Sequence, residues 1–392
     1  MHDPQPPASG RWIAAAVVAH TLWTSAAPAM SYPLYSQEWG LTAPMTAIVF
    51  ATYPTVVVLI MMLLGNIGGD LGLKMPMVLG MVGSIAGVTV FAFATGFPML
   101  VIGRILMGIG VGLSAGPSAA ALTTLAGDRG ASITVVAQSA GFVGALALGG
   151  VLTQYAAFPL RTPFLLLDVL LISVMLWLLR LHLPETVAHV RPRLTMPRKP
   201  VASPELAASI LALVTAYSHG VITTYAGATI AGDLVGSSNV AVNGLALSLF
   251  PLAFGLVGFL APFRKDRGSV LAGSAATIVG MLLLLAAIEL HSFVAFFLAI
   301  AMSGLGYALL VSGGLHMATQ GMEPGARSAR LTWALMWAYV SSGILALALG
   351  QLTALRGFEF AMLCAMTAMV VLALTTILQA LKLARSYTPE TV

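Results

Sequence analysis

The chain has 392 residues; 59% are hydrophobic and only 8% are Asp, Glu, Lys or Arg. A soluble globular domain carries about a quarter charged residues, so this composition excludes a water-covered surface and leaves lipid as the solvent for most of the chain. The formal net charge of +5 would suit a nucleic acid, but the positions of the charges exclude that reading, as the loops show below.

Windows of roughly twenty apolar residues, enough to cross a hydrocarbon core of about 30 Å, recur twelve times. Runs this long and uniform predict helices, not the alternating strands of a barrel. Span 1 (12–35) carries His20, Trp23, Thr24 and Tyr32. Its Ala27-Pro28-Ala29 mimics a leader-peptide cleavage site, yet the span has a counterpart in the second half and reads as a retained helix. Span 2 (43–66) and span 3 (76–95) flank a loop containing Gly65, Asp70, Gly72 and Lys74. Span 4 (98–125) opens with GRILMGIGVGLSAGP, in which Arg104 heads glycines at 108, 110, 112 and 116 and a proline at 117. Span 5 (131–155) holds Gln138, and span 6 (163–183) holds Asp168. A Pro- and Arg-rich segment, 184–203, then separates two units, 1–183 and 204–392.

The second unit repeats the pattern. Span 7 (204–230) carries Tyr217, His219, Thr223, Thr224 and Tyr225. Spans 8 (240–262) and 9 (268–289) flank Asp266 and Gly268. Span 10 (293–318) holds Tyr307 and His316, span 11 (329–354) holds Trp333, Trp337 and Tyr339, and span 12 (358–381) holds the single cysteine, Cys364. One cysteine forms no internal disulfide, and in an apolar run it reads as a small buried hydrophobe.

Fifteen of the eighteen Lys and Arg fall in segments on one side of the predicted helices, against only Arg161 and Arg356 on the other. This positive-inside bias predicts both termini in the cytoplasm of a multi-pass protein of the cytoplasmic (inner) membrane. It also accounts for the basic excess without nucleic acid.

The halves resemble each other. Tyr53-Pro54 corresponds to Phe250-Pro251, Asp70-x-Gly72 to Asp266-x-Gly268, and Gly108-x-Gly110 to Gly304-x-Gly306. Ala-Leu-Ala-Leu-Gly occurs at 145–149 and 346–350, and Pro-Glu-Thr at 184–186 and 389–391. Six helices is an even number, so both repeats enter the membrane from the same side, related by an axis along its normal.

These features resemble the major facilitator superfamily along essentially the whole chain. The loop after span 2 is similar to the family's G-x-x-x-D-[RK]-x-G-[RK]-[RK] signature: Gly65, Gly72 and Lys74 are in register, and Asp70 stands one place late. Span 4 matches R-x-x-x-G-x-G-x-G. Span 5 carries a degraded antiporter signature in which Leu146 occupies the proline position. The resemblance implies twelve helices in two six-helix repeats, alternating access, and a central cavity lined mainly by spans 1, 4, 7 and 10. It assigns the loops at Gly65, Asp70, Gly72, Lys74, Asp266 and Gly268 to the conformational switch.

No Gly-x4-Gly-Lys motif, metal-ligand spacing or nucleophile elbow is present, so neither an enzyme nor an ATP-driven pump is expected, and neither a cofactor nor a metal. Ionisable groups inside the spans cost about 2.5–3.5 kcal/mol each on insertion scales and therefore mark candidate sites. Arg104 either snorkels to the near surface or is a buried cation that tunes a substrate or proton site; Asp168 is the acid at matching depth. His20 and His219 are either satisfied core histidines or proton carriers. Trp23, Thr24, Tyr32, Gln138, Tyr217, Thr223, Thr224, Tyr225, Tyr307, Trp333 and Trp337 are the remaining candidates to line a site. Glu289 and Glu359 read as anchors at helix ends.

Two functions stay open at this point. One is proton-coupled efflux of a small amphipathic compound by a monomer whose partners are substrate, protons and lipid. The other is proton-coupled or facilitated uptake of a polar solute such as a sugar or organic acid, with Arg104 as a carboxylate clamp.

Overall fold

A computed structural model describes residues 8–64, 71–181, 200–260, 267–320 and 324–385. Every predicted span is helical, and no strand occurs among the described residues. The switch-loop candidates Gly65, Asp70 and Asp266 lie outside the described residues.

Several bounds differ from the sequence reading for identifiable reasons. Span 1 is a helix over Ala8–Ala26, then a turn, then a short helix over Tyr32–Trp39. Pro28 has no N–H to continue the ladder, and its carbonyl instead accepts from the N–H groups of Ser31 and Tyr32. Span 8 divides into Val240–Leu247 and Leu249–Leu260, where the Pro251 ring opposes the Leu247 carbonyl four residues back. Span 7 runs further than expected, to Leu234, and changes character on the way. It is α-helical over Pro204–Val221, then π-helical over Ile222–Ala226 and Ile230–Leu234. The β-branched run Val221-Ile222-Thr223-Thr224 crowds the preceding turn of an α-helix, and Gly220, Gly227 and Gly232 weaken the helix further. Span 4, by contrast, is one unbroken helix over Phe97–Ala126 despite Pro117.

The glycines of span 4 serve two faces. A side chain at Gly103 would meet Phe91 and Gly87, and one at Gly110 would meet Ser84 and Gly80, all on span 3 (Lys74–Ala92). A side chain at Gly108 would meet Tyr53 and Val56, and one at Gly112 would meet Ile60, all on span 2 (Ala43–Leu64). Small residues let helix backbones approach closely in lipid, where no hydrophobic force drives them together. The second half reproduces these contacts: Gly304 lies against Phe250 and Ala253, and Gly306 against Thr277 and Gly273. Contacts, and not only letters, therefore repeat along the chain.

The halves meet along two seams. Span 5 (Gly130–Tyr155) packs on span 8 for its full length, from Gly150 against Gly244 through Ser139 against Gly255 to Val135 against Gly258. The Ser139 hydroxyl donates to the Pro251 carbonyl. Span 2 packs on span 11 (Pro324–Arg356), with Gly350 against Ala43 and Ala47.

Candidate functional site

At the end of the bundle opposite the termini the two halves close on each other. Arg104, seven residues into span 4 from Phe97, is 1% exposed, so it does not snorkel. Its Nε donates to the Val49 carbonyl at 3.3 Å, and its terminal nitrogens donate to the Ser25 carbonyl at 3.0 Å and the Tyr32 hydroxyl at 3.1 Å. The guanidinium also lies 4.8 Å from the centre of the Tyr53 ring, within cation–π range. One side chain thus ties span 1, its short continuation and span 2 to span 4. A planar fork spreads its donors over three nitrogens and so reaches three separated acceptors, which the single nitrogen of a lysine at this position does not.

The other half meets this assembly through Tyr225, in the first π-helical stretch of span 7. Its hydroxyl donates to the Ala43 carbonyl at 3.2 Å, and its ring lies 5.4 Å from Phe50 and 6.2 Å from Tyr32. The N–H of Val240 donates to the Gln154 side chain at 2.7 Å at the same end. Tyr225→Ala removes the aromatic wedge between the halves; in solution, spin labels on Thr42 and Ser238 are expected to show a larger population of long distances than in the unmutated protein.

Midway through the bundle an aromatic cluster lies on the second half. Tyr217 of span 7 lies 4.9 Å from Tyr339 of span 11 and 6.0 Å from Tyr307 of span 10 (Phe293–Thr319). Tyr307 in turn lies 5.1 Å from Phe250 and 5.5 Å from Phe254 of span 8. Tyr53, whose ring faces Arg104, is itself buried in the first half.

Towards the termini the stripe of span 4 that carries Arg104, Met107 and Val111 stays buried, at Ser114, Ser118 and Leu122. Gly116, Ala120 and Thr123 continue the exposed face of the helix that carries Ile102 and Ile105. No atom lies within 4 Å of where a side chain on Gly116 would begin.

The two histidines differ. His20 is satisfied: one ring nitrogen meets the Val17 carbonyl and the other lies 3.2 Å from the Ser84 hydroxyl of span 3. His219 is fully buried, its ring 6.3 Å from Phe250, and neither nitrogen has a hydrogen-bond partner.

Asp168 does not approach Arg104 as a partner. It accepts from the Thr89 hydroxyl of span 3 at 2.9 Å, and its other oxygen is buried without a partner. Trp23 packs across Gly144 of span 5. The Thr24 hydroxyl and the Trp333 indole nitrogen are buried without partners. Gln138 is half-buried, Thr223 is buried, and Thr224 donates to its own helix at Gly220. Trp337 is 45% exposed, outside the aromatic cluster. Of the switch-loop residues, Gly72 has φ 73°, Lys74 donates to the Leu179 carbonyl near the end of span 6 at 2.9 Å, and Gly268 lies in the first turn of span 9. Among the described residues no group of three His, Cys, Asp or Glu gathers as a metal site requires.

The candidates drawn from the sequence omit Tyr53, Phe250 and Phe254. The first two are visible as the repeat-related pair preceding Pro54 and Pro251. Phe254 follows Phe250 by one helical turn and gives no separate signal.

No curated protein matches the chain. Among solved structures it is similar to a point mutant of the nucleoside transporter NupG, with a TM-score of 0.72 at 12% identity, over 94% of this chain and 98% of that one. At that identity the likeness establishes the fold. A family profile described as the Major Facilitator Superfamily matches residues 12–322. With its helical bundle, repeated glycine contacts and match over most of its length, the chain belongs to the major facilitator superfamily of membrane transporters.

Proposed function

We propose that the protein is a secondary transporter that exports a small aromatic or amphipathic organic molecule, coupled to protons, by alternating access. The observation that carries the substrate class is the cluster of Tyr217, Tyr307, Tyr339 and Phe250. Such rings offer flat apolar faces with a few hydroxyl donors and acceptors, which suits an uncharged or weakly charged ring better than a sugar or a phosphate. The carboxylate-clamp reading of Arg104 loses support because Nε and both terminal nitrogens already donate, to Val49, Ser25 and Tyr32. Arg104 acts instead as a positioning residue that holds the closed end. The export direction rests on the residues of span 5 that resemble the antiporter signature.

His219 is the group to which we assign the proton. Span 1 has a histidine already satisfied, and spans 1, 4 and 10 contain no acid. An imidazole without partners in a closed, dry contact gains water and a proton when its surroundings part. It sits one and a half turns before Tyr225, on the helix that must move when the closed end opens.

A thermal-shift screen of aromatic compounds, with adenosine and ethidium as a neutral and a cationic probe, identifies a ligand. Inverted vesicles then test its transport: a pH gradient, acidic inside, is expected to drive accumulation, and collapsing the gradient is expected to stop it. In His219→Gln, gradient-driven accumulation is lost while counterflow persists; His20→Gln behaves as the unmutated protein. Accumulation that survives loss of the gradient rejects proton coupling, and unimpaired gradient-driven transport in His219→Gln rejects the assignment to that residue.

A further inference from the structure

A cavity of about 290 Å³ opens at the end of the bundle opposite the termini, between spans 9, 11 and 12. It shares no lining residue with the groups assigned to transport above. Three charged residues rim it: Glu289, the last residue of span 9 (Arg267–Glu289); Arg356, the last of span 11; and Glu359, in the first turn of span 12 (Phe358–Arg385). Its wall is apolar and includes Leu285, Phe360 and Leu363, of which Phe360 and Leu363 are 43% and 49% exposed on the outer surface of the bundle.

Two features of the rim call for a ligand of both signs. Among the described residues no ion pair joins Arg356 to either carboxylate, and the guanidinium lies over the Phe360 ring at 5.9 Å. Opposite charges lining one cavity are thus not spent on each other. Glu289, moreover, stands at a helix C-terminus, where the backbone dipole disfavours an anion and favours a cation beside it. Glu359 at a helix N-terminus and Arg356 at a C-terminus are placed as the dipole prefers, so Glu289 is the residue left in need of a partner.

We propose that this cavity binds a phospholipid with a primary-amine headgroup, such as phosphatidylethanolamine, in the leaflet opposite the termini. The phosphate lies against Arg356 and the ammonium between Glu289 and Glu359, donating hydrogen bonds to both carboxylates. An acyl chain runs down the apolar wall at Leu285 and Leu363. The helix ends place the charges at the level of headgroups and the wall at the level of hydrocarbon, which is the arrangement of the lipid itself. A choline headgroup carries no N–H to donate, and a glycerol headgroup carries no cation, so both bind less well.

Native mass spectrometry on the purified full chain, titrated with phosphatidylethanolamine, phosphatidylcholine and phosphatidylglycerol of identical acyl chains, tests this. At least fivefold preferential retention of the ethanolamine lipid is expected. The double variant Glu289→Gln with Glu359→Gln abolishes that preference, and Arg356→Gln weakens retention of all three lipids. Thermal unfolding followed by labelling of Cys364 shows that each variant is folded. Equal retention of the three lipids, or a preference unchanged in the double glutamine variant, overturns the proposal. So does displacement of the lipid by millimolar glycerophosphoethanolamine, because a soluble headgroup would then be the better ligand.

Discussion

Arg104→Ala is expected to lower transport by about a hundredfold while leaving a folded, membrane-inserted protein. The substitution strips donors from the Ser25 and Val49 carbonyls and from the Tyr32 hydroxyl at once. A buried acceptor left without a donor costs about 1–3 kcal/mol, and roughly 2.8 kcal/mol is a hundredfold in the population of the closed end. Overall stability falls less than this sum, because the variant no longer buries a cation, a burden of about 2.5–3.5 kcal/mol on insertion scales. Arg104→Lys separates charge from geometry. Its ammonium restores the cation, yet a single nitrogen does not span acceptors on three other helices, so transport stays low. Counterflow assays measure the defect, and transport by Arg104→Ala within a factor of two of the unmutated protein would remove Arg104 from the mechanism.

The second large effect belongs to a residue with no side chain. Gly110→Val places a branched side chain where Ser84 and the Gly80 carbonyl of span 3 already stand. Backbone lies on that side, so no rotamer relieves the overlap, and spans 3 and 4 must separate. Overpacking costs about 1–3 kcal/mol in soluble cores, and here it acts on the closest helix pair of the first half. A marked loss of monodisperse protein after solubilisation is expected, together with a lower unfolding midpoint followed by Cys364 labelling. Gly116→Val is the matched control, because nothing lies within 4 Å of its side-chain position. Equal yields from the two variants would show that glycine spacing in span 4 has no packing role.

The sequence resolves helices better than it resolves faces. Twelve spans were legible because lipid admits few ways to satisfy a backbone, and hydropathy reports them directly. Bounds failed where a local device intervened: Pro28 ended span 1 early, and the β-branched run after Gly220 carried span 7 onward in π-helical form. Arg104 stood out because charge is scarce in the spans, but its partners are two backbone carbonyls and a hydroxyl, and no sequence pattern announces a carbonyl. His20 and His219 looked equivalent by the repeat. Only packing separates them, since Ser84 reaches His20 and no polar group reaches His219. The pairing of Asp168 with Thr89 was hidden for the same reason, since matching depth does not fix which way a side chain turns.

Duplication supplied both halves with the same glycine joints, and the residues between those joints have since diverged in kind. Where the first half sets the Arg104 guanidinium over Tyr53, the second sets Ile300 and Phe250 at the corresponding positions, both buried. A directional, multiply bonded cation makes a stiff element with one permitted geometry, whereas an isoleucine beside a phenylalanine slides at little cost. For the transport proposed above, the expectation is a mechanically lopsided cycle: the first half as the rigid reference frame and the second, with its π-helical segment, as the compliant part that supplies the stroke.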